Sequence, residues 1–174
     1  MRTAALALIG GLGLAQAGAG ALAFTAPASW QPRTPASSMR VAEFVVPKAA
    51  GDAEDAEAIV YYFGAFGGTV NANITRWIGQ MQQPDGSPSA GKARRGEQTI
   101  NGLKVTTIDV SGTYIAEVRP GAAERHNKPG FRLRAAVVET PRGAYYIKMT
   151  GPAKTIAAAD ADLQQFLASL RAAR

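Results

Sequence analysis

The sequence predicts an α+β domain in which two main helices pack on an antiparallel β-sheet. Several segments alternate apolar and polar residues with the period of two that marks a half-buried strand. Short turns join these segments in series, which favours antiparallel pairing. Two further segments, 69–82 and about 160–171, carry apolar residues at helical spacing. The predicted order of elements is therefore β-β-α-β-β-β-β-β-α.

The N-terminus has the pattern of a secretory signal peptide. Arg2 supplies an early positive charge, an uncharged Ala/Leu/Gly-rich stretch follows, and small-residue triplets stand at Ala15-Gln16-Ala17 and Ala21-Leu22-Ala23. A membrane anchor is the alternative, but glycines and small residues make this stretch a weak span. We predict that residues 1–23 are removed by cleavage after the second triplet. The mature chain then begins at Phe24, has no membrane span and is periplasmic or secreted.

Composition narrows the chemistry of the exported part. The chain has no cysteine and a single histidine, which rules out disulfides and thiolate metal sites, and we predict no metal and no cofactor. It carries 19 basic and 13 acidic residues, a net charge of +6. The basic residues are scattered, and their one cluster, at Lys92, Arg94 and Arg95, has no aromatic neighbours for stacking on bases. Neither composition nor location therefore favours nucleic acid.

The first half of the mature chain divides into a lead-in, two strands and a helix. Residues 24–38 are rich in Pro, Ser and Ala and predict an extended lead-in, with Trp30 docked on the domain that occupies 39–174. Residues 39–46 form the first predicted strand, and the apolar run 58–63 forms the second. The helix predicted at 69–82 places Val70, Ile74, Trp77, Ile78 and Met81 on one face.

The second half predicts a flexible loop, a run of strands and a closing helix. Residues 83–97 show no periodicity and predict the loop. Asn101-Gly102 predicts a tight hairpin, because both turn positions need a positive φ. The remaining strands are predicted at 98–100, 103–110, 112–118, 131–139 and 144–149, and Gly151-Pro152 is expected to end the last of them. Lys148 is expected to pair with an acid or to mark an exposed face.

The closing helix has a clear buried face. Leu163, Phe166, Leu167 and Leu170 share it, and Asp160 is a predicted N-cap.

This arrangement resembles the family of the extrinsic PsbP subunit of photosystem II and the Ran-binding nuclear import factor that shares its fold. The matching features are the lead-in from Trp30 to a first strand ending at Pro47, the strand–helix unit at 58–82, and the closing YYIKMTGPAKT…FLASL at 145–170. The resemblance implies an α/β/α sandwich and a non-enzymatic protein that docks onto a larger partner. The segments NITRWIGQM and YYIKMTGP also resemble a group of uncharacterised exported bacterial proteins, which adds no function.

Catalytic and metal motifs are weak in this chain. A serine hydrolase would have to use His126, and Ser111 is not part of a G-x-S-x-G elbow. The acidic residues of 52–57 lack the order of a calcium loop, so a solvated loop is the favoured interpretation. The glycines of 64–68 precede a helix but lack the lysine of a phosphate loop and are interpreted as turn residues. We predict that the protein is not an enzyme.

A partner-binding surface is predicted on the helix at 69–82. Asn73, Arg76 and Gln80 lie beside Trp77 at one border of its apolar face, and arginine next to tryptophan is the composition of an interaction hot spot. Packing of Trp77 in the core is the competing interpretation. The predicted function is an accessory or assembly protein of the cell envelope that binds another envelope protein. A small-ligand or lipid carrier is the alternative, and a hydrolase is a more distant one.

Overall fold

The computed structural model describes residues 15–17 and 21–173. Three helices are present in this part of the chain: α1 (Val70–Ile78), α2 (Ala153–Ala158) and α3 (Asp160–Ala168). The strands are β1 (Ala15–Ala17), β2 (Leu22–Thr25), β3 (Gln31–Arg33), β4 (Arg40–Val46), β5 (Ala56–Tyr62), β6 (Met81–Gln82), β7 (Arg94–Ile100), β8 (Leu103–Tyr114), β9 (Lys128–Thr140), β10 (Gly143–Pro152) and β11 (Arg171–Ala172). No helix within the described ranges has the length and apolar character needed to cross a membrane.

An antiparallel sheet of eight strands forms the body of the molecule. Its strands follow the order β3-β4-β5-β10-β9-β8-β6, and β7 pairs with β8 alongside this path. The long strands β8, β9 and β10 are consecutive in sequence and adjacent in space, as expected for segments joined by tight turns. This is the predicted α+β architecture.

Alternation along the strands divides the core into two layers. Tyr145, Ile147 and Met149 of β10 pack with the buried residues of α2 and α3 on one face. Tyr146 points to the other face, where it packs with Ile74 and Trp77 of α1. Because successive side chains of a strand point to opposite faces, the helices lie on both sides of the sheet. The sandwich is therefore α/β/α, as predicted.

The N-terminal strand β2 belongs to the α3 side of the sandwich. It pairs with β1 and with the C-terminal strand β11 in a small antiparallel sheet. Phe24 packs against Phe166 of α3 with ring centroids 5.2 Å apart. Trp30 is buried between Phe44 and Phe166, in agreement with its predicted docking. The predicted cleavage after Ala23 falls inside β2.

The Asn101-Gly102 hairpin is confirmed, with both residues at positive φ between β7 and β8. The Asn101 side-chain amide also donates to the Leu170 carbonyl at 2.8 Å, which ties the turn to the end of α3. β7 begins at Arg94, so the loop predicted at 83–97 is shorter than expected. The reason is that nearly all of β7 is exposed, and a strand that buries no side chains leaves no hydrophobic period to detect.

Other predicted boundaries in the strand region were wrong. The strands predicted at 103–110 and 112–118 form one continuous strand, β8, that ends at Tyr114. Gly151-Pro152 does not end the preceding strand, because both residues pair with β9. Pro152 is the last residue of β10 and the N-cap of α2, where a missing N–H costs little. The sequence analysis did not predict α2.

The predicted helices are confirmed with shorter bounds. α1 ends at Ile78, so Gln80 and Met81 lie beyond the helix. All four residues of the predicted apolar face are buried: Leu163, Phe166 and Leu167 in α3, and Leu170 just beyond its end. Asp160 is not an N-cap. Its carboxylate instead accepts a hydrogen bond from Arg134 of β9.

Ion pairs connect the strands to α3 at one point. Asp109 of β8 accepts two hydrogen bonds from Arg132, each 2.8 Å long, and one from Arg94 at 2.7 Å. Arg134 and Arg132 extend the network to Asp160 on α3. Burial raises the pKa of Asp109, but the hydrogen bonds from Arg132 and Arg94 outweigh it, so the pKa lies below its ordinary value. The ionised carboxylate is therefore favoured in the folded state.

The variant Asp109→Asn should destabilise the domain by about 2 kcal/mol at neutral pH, because it leaves partly buried guanidinium groups without their anion. The folded pKa is lowered, so the contribution of Asp109 is present above the ordinary pKa and is lost as the pH falls through the folded pKa. Urea titrations near pH 7 and near pH 2.5 should therefore show a difference between variant and wild type that shrinks in acid.

The matched control is Glu97→Gln, which breaks the exposed pair with Arg95. It should change stability by less than about 0.5 kcal/mol at either pH. An Asp109→Asn variant as stable as this control would contradict the role assigned to the network.

Candidate binding surface

A turn between β5 and α1 exposes the most prominent apolar side chain of the described residues. This turn, residues 64–68, is called here the braced turn. It begins with the single helical turn Gly64–Phe66, and the Phe66 side chain is 96% exposed at its end. A phenylalanine presented in this way leaves a large apolar area in water.

Two interior side chains hold the braced turn in place. The Tyr146 hydroxyl donates to the Gly67 carbonyl at 2.9 Å, and the Asn73 amide donates to the same carbonyl at 2.6 Å. Asn73 also donates to the Thr69 carbonyl at 3.0 Å. A Cβ at Gly67 would collide with the ring and hydroxyl of Tyr146, so this position requires glycine. Phe66 is therefore displayed on a fixed backbone.

The same asparagine positions a cation next to the turn. Arg76 is exposed on α1 and donates from Nη2 to the Asn73 side-chain oxygen at 2.6 Å. Thr69 caps the helix, with its hydroxyl accepting from the Ala72 N–H at 3.1 Å. Asn73 thus links the guanidinium of Arg76 to the turn that displays Phe66.

The structure separates the four residues predicted for partner binding. Asn73 and Trp77 are each only 3% exposed, so they cannot form the outer contact surface in this conformation. Trp77 packs edge-on against Tyr146, with ring centroids 6.3 Å apart. Arg76 is exposed, whereas Gln80 is half-buried and accepts a hydrogen bond from Lys148. Partner binding by this helix stays a prediction, with Arg76 as its accessible member.

Sequence reasoning missed Phe66, and one signal could have found it. Gly64-Ala65-Phe66-Gly67-Gly68 places an aromatic residue inside a glycine-rich turn, where a strand or helix cannot bury it. Met39, 50% exposed, is the other large apolar residue exposed in the described ranges. Its carbonyl accepts from the Tyr62 N–H at 3.0 Å, near the end of β5 that leads into the turn. Both exposed apolar side chains therefore lie toward one end of the sheet.

A buried amine lies beneath the segment that follows α1. The Lys148 Nζ donates to Gln80 Oε1 at 2.7 Å and to the Tyr114 hydroxyl at 3.0 Å. Burial lowers the pKa of Lys148 to about 8, while the negative charge of Glu57 acts in the opposite direction. The expectation that Lys148 pairs with an acid or marks an exposed face was wrong, because neutral oxygens satisfy it in the interior. Burial likewise raises the pKa of Tyr114.

The residues considered for catalysis and metal binding have other contacts. The His126 ring stacks on Tyr114 with centroids 5.3 Å apart, and no described serine hydroxyl bonds it. Asp52 accepts from the N–H and hydroxyl of Thr155 at the start of α2. Glu54 pairs with Lys128. Within the described ranges, no three acidic or histidine side chains group as metal ligands would.

The space between the sheet and α1 is filled by side chains. Ile74 and Trp77 of the helix belong to the same buried cluster as Tyr146 and Leu133 of the sheet, and Trp77 contacts Tyr146. On the other face, a cavity of about 10 Å³ lies beside Thr107 and Leu163, which is room for about one water. Known small-molecule pockets are on the order of 300–1,000 Å³. The carrier hypothesis placed its ligand beneath α1, where the described side chains already pack.

Comparison with solved structures identifies the fold. The chain is similar to the solution structure of cyanobacterial PsbP (CyanoP) from Synechocystis, with 12% sequence identity and a TM-score of 0.51, over 97% of this chain and 99% of that one. It is also similar to the crystal structure of LpqN, involved in cell envelope biogenesis of Mycobacterium tuberculosis. That match has 11% identity and a TM-score of 0.50, over 88% of this chain and 83% of that one.

The protein therefore has a PsbP-like fold, as the sequence resemblance implied. No protein-family model matches the sequence, and the search of curated proteins gives no match either. At such low identity the structural likeness is a statement about architecture only.

The variant Gly67→Ala should destabilise the domain by about 1–3 kcal/mol, because its methyl group collides with Tyr146. Adding Tyr146→Phe removes the nearest atom, the hydroxyl oxygen, so the double variant should lose less stability than the sum of the two single variants. Urea unfolding of the three variants measures this coupling.

Gly91→Ala, with open space around its Cβ position, is the control and should stay within about 0.5 kcal/mol of wild type. If the effects of Gly67→Ala and Tyr146→Phe on the free energy of unfolding were strictly additive, the result would contradict the contact between these two positions.

The buried amine predicts an unusual pH dependence. The folded pKa of Lys148, about 8, lies below the ordinary value of 10.5, so the unfolded chain binds more protons between these values. Stability should therefore rise with pH in that window, and the wild type should gain roughly 2 kcal/mol relative to Lys148→Met between about pH 7 and pH 9.5. Urea titrations across this range measure the difference. As the control, the stability of Lys104→Met, a change at an exposed lysine, should vary with pH in parallel with that of wild type. The stability of Lys148→Met would do the same if Lys148 were solvated in the fold, and that result would contradict its burial.

Proposed function

We propose that this chain is an exported, non-enzymatic accessory protein of the cell envelope that binds another envelope protein. The observation that carries the binding part is the display of Phe66, 96% exposed, on a turn braced by Tyr146 and Asn73. Its contact surface consists of Phe66 and Arg76, with Met39 at the same end of the sheet. Export rests on the signal-peptide pattern of the first 23 residues.

The fold is compatible with this role. One protein with a similar structure is a PsbP, and another is described as involved in cell envelope biogenesis. The PsbP-like family implies docking onto a larger partner, and an accessory role in the envelope combines that property with export. Fold likeness alone does not select a function, so the proposal depends on the surface.

The physical argument concerns the cost of exposing Phe66. An apolar ring in water is unfavourable by about 2 kcal/mol relative to a buried one, and folding has left this ring outside the core. The interior polar groups of Tyr146 and Asn73 donate the two hydrogen bonds that fix the turn carrying it. A rigid aromatic residue loses little conformational entropy when a partner covers it. Aromatic residues and arginine are also the types that dominate interface energetics.

Arg76 supplies the polar half of the surface. Asn73 fixes its guanidinium through a hydrogen bond from Nη2, and Arg76 as a whole is exposed. The favoured partner surface therefore has an apolar pocket for Phe66 with an acidic side chain or a carbonyl nearby.

The test is in-cell crosslinking of the tagged protein, followed by mass spectrometry of the envelope proteins that co-purify. Phe66→Ala and Arg76→Ala should each lower recovery of the partner at least about tenfold. Arg171→Ala is the control, because Arg171 is an exposed arginine in the small sheet on the α3 side. It should retain the partner at the wild-type level.

Folding is checked separately, because Phe66 and Arg76 make few contacts in the domain. Phe66→Ala should melt within about 2 °C of wild type, and Arg76→Ala, which removes the donor to the buried Asn73 oxygen, should melt within about 6 °C of it. Unchanged partner recovery by both variants would refute the proposed surface. An equal loss of partner recovery in the Arg171→Ala control would refute the location of the proposed surface.

A further inference from the structure

The strand β2 is an integral part of the core, although it overlaps the end of the predicted signal peptide. Leu22 and Phe24 are both 0% exposed, and Ala21 is 6% exposed. They pack in the same cluster as Ile156, Phe166 and other residues on the α3 side of the sheet. Full burial of a leucine at this place means that its removal would leave a cavity.

The backbone around β2 is also bonded to the rest of the domain. The Ala21 N–H donates to the Tyr145 hydroxyl at 3.2 Å, and the Ala21 carbonyl accepts from the Ala173 N–H at 2.9 Å. The Thr25 N–H donates to the Ser169 hydroxyl at 2.9 Å. β2 further pairs with β11, with Leu22 opposite Ala172. The first described residues after position 20 therefore hold the C-terminal segment in place.

Cleavage after Ala23 conflicts with this arrangement. It would remove Ala21 and Leu22, and with Ala21 the hydrogen bonds that it makes to the Tyr145 hydroxyl and to the Ala173 N–H. It would also create a new α-amino group on Phe24, a fully buried residue. Because that group is mostly protonated at neutral pH, the domain would have to bury a charge or release the strand.

Small-residue triplets occur upstream of this strand as well. The overlapping run AQAGAGALA, residues 15–23, satisfies the A-x-A pattern at Ala17 and Ala19 in addition to Ala21 and Ala23. Cleavage after Ala17 or Ala19 separates β1 but leaves every contact of Ala21, Leu22 and Phe24 with β11, Tyr145 and α3 intact.

We infer that the leader is removed upstream of Ala21, so that the mature chain begins at Gly18 or Gly20 and keeps β2. This inference rests on the proposed export and moves the processing site from the position that the sequence alone suggested. The signal peptide then ends before Ala21, and the exported chain keeps the buried residues Ala21, Leu22 and Phe24.

The experiment expresses the full-length chain in a Gram-negative host, recovers it from the periplasm, and measures its intact mass and its N-terminal peptide. An N-terminus at Gly18 or Gly20 supports the inference. A mature form that begins at Leu22 or Phe24 overturns it while leaving export intact. Recovery of the uncut chain from the cytoplasm alone overturns both the inference and the proposed export.

A second measurement tests the structural reason. Three purified chains starting at Gly18, Gly20 and Phe24 are compared by thermal unfolding. The first two should melt together, and the third should melt roughly 10 °C lower or fail to fold. Leu22→Ala in the Gly18 chain is the milder variant, and it should also lower the melting temperature. Equal melting of all four proteins would overturn the inference.

Discussion

The burial of β10 on both faces is the constraint on which the structure depends. This strand lies at the centre of the sheet, and its residues from Tyr145 to Pro152 are all buried. Tyr145 faces α3 and Tyr146 faces α1, so one short run anchors both layers of the sandwich. Each tyrosine must also place its hydroxyl, because an unpaired buried polar group is costly. Their partners lie in two segments outside the large sheet.

Those two hydroxyls connect the core to the regions with proposed functions. Tyr145 accepts from Ala21 and so fixes the N-terminal strand, on which the inferred position of the processing site depends. Tyr146 donates to Gly67 and so fixes the turn that displays Phe66. The third polar group of the strand, Lys148, is satisfied by Gln80 and Tyr114 on the α1 side. Stability and the proposed binding surface therefore share residues, whereas Phe66 itself is free to change without affecting the core.

Much of the architecture could be predicted from local patterns. Leu163, Phe166, Leu167 and Leu170 fall at helical spacing, and all are buried as predicted. Asn101-Gly102 specifies its turn because few other pairs adopt two positive φ angles. The first half of the exposed strand β7 and the whole of the short helix α2 escaped prediction, since neither has a periodic apolar face long enough to detect. For the candidate surface, sequence reasoning grouped Trp77 with Arg76 and kept core packing of Trp77 as the competing interpretation; the structure buries Trp77 and exposes Arg76.

The sequence by itself determined the α+β class, the apolar face of α3 and the absence of disulfides, because these follow from composition and from periods within one segment. Only the tertiary structure decided that Lys148 is buried, that Asn73 joins Arg76 to the braced turn, and that Leu22 belongs to the core. Each of these depends on contacts between segments far apart in the chain. The physical reason is that a local pattern records how polar a residue is, whereas its burial depends on which distant surface covers it.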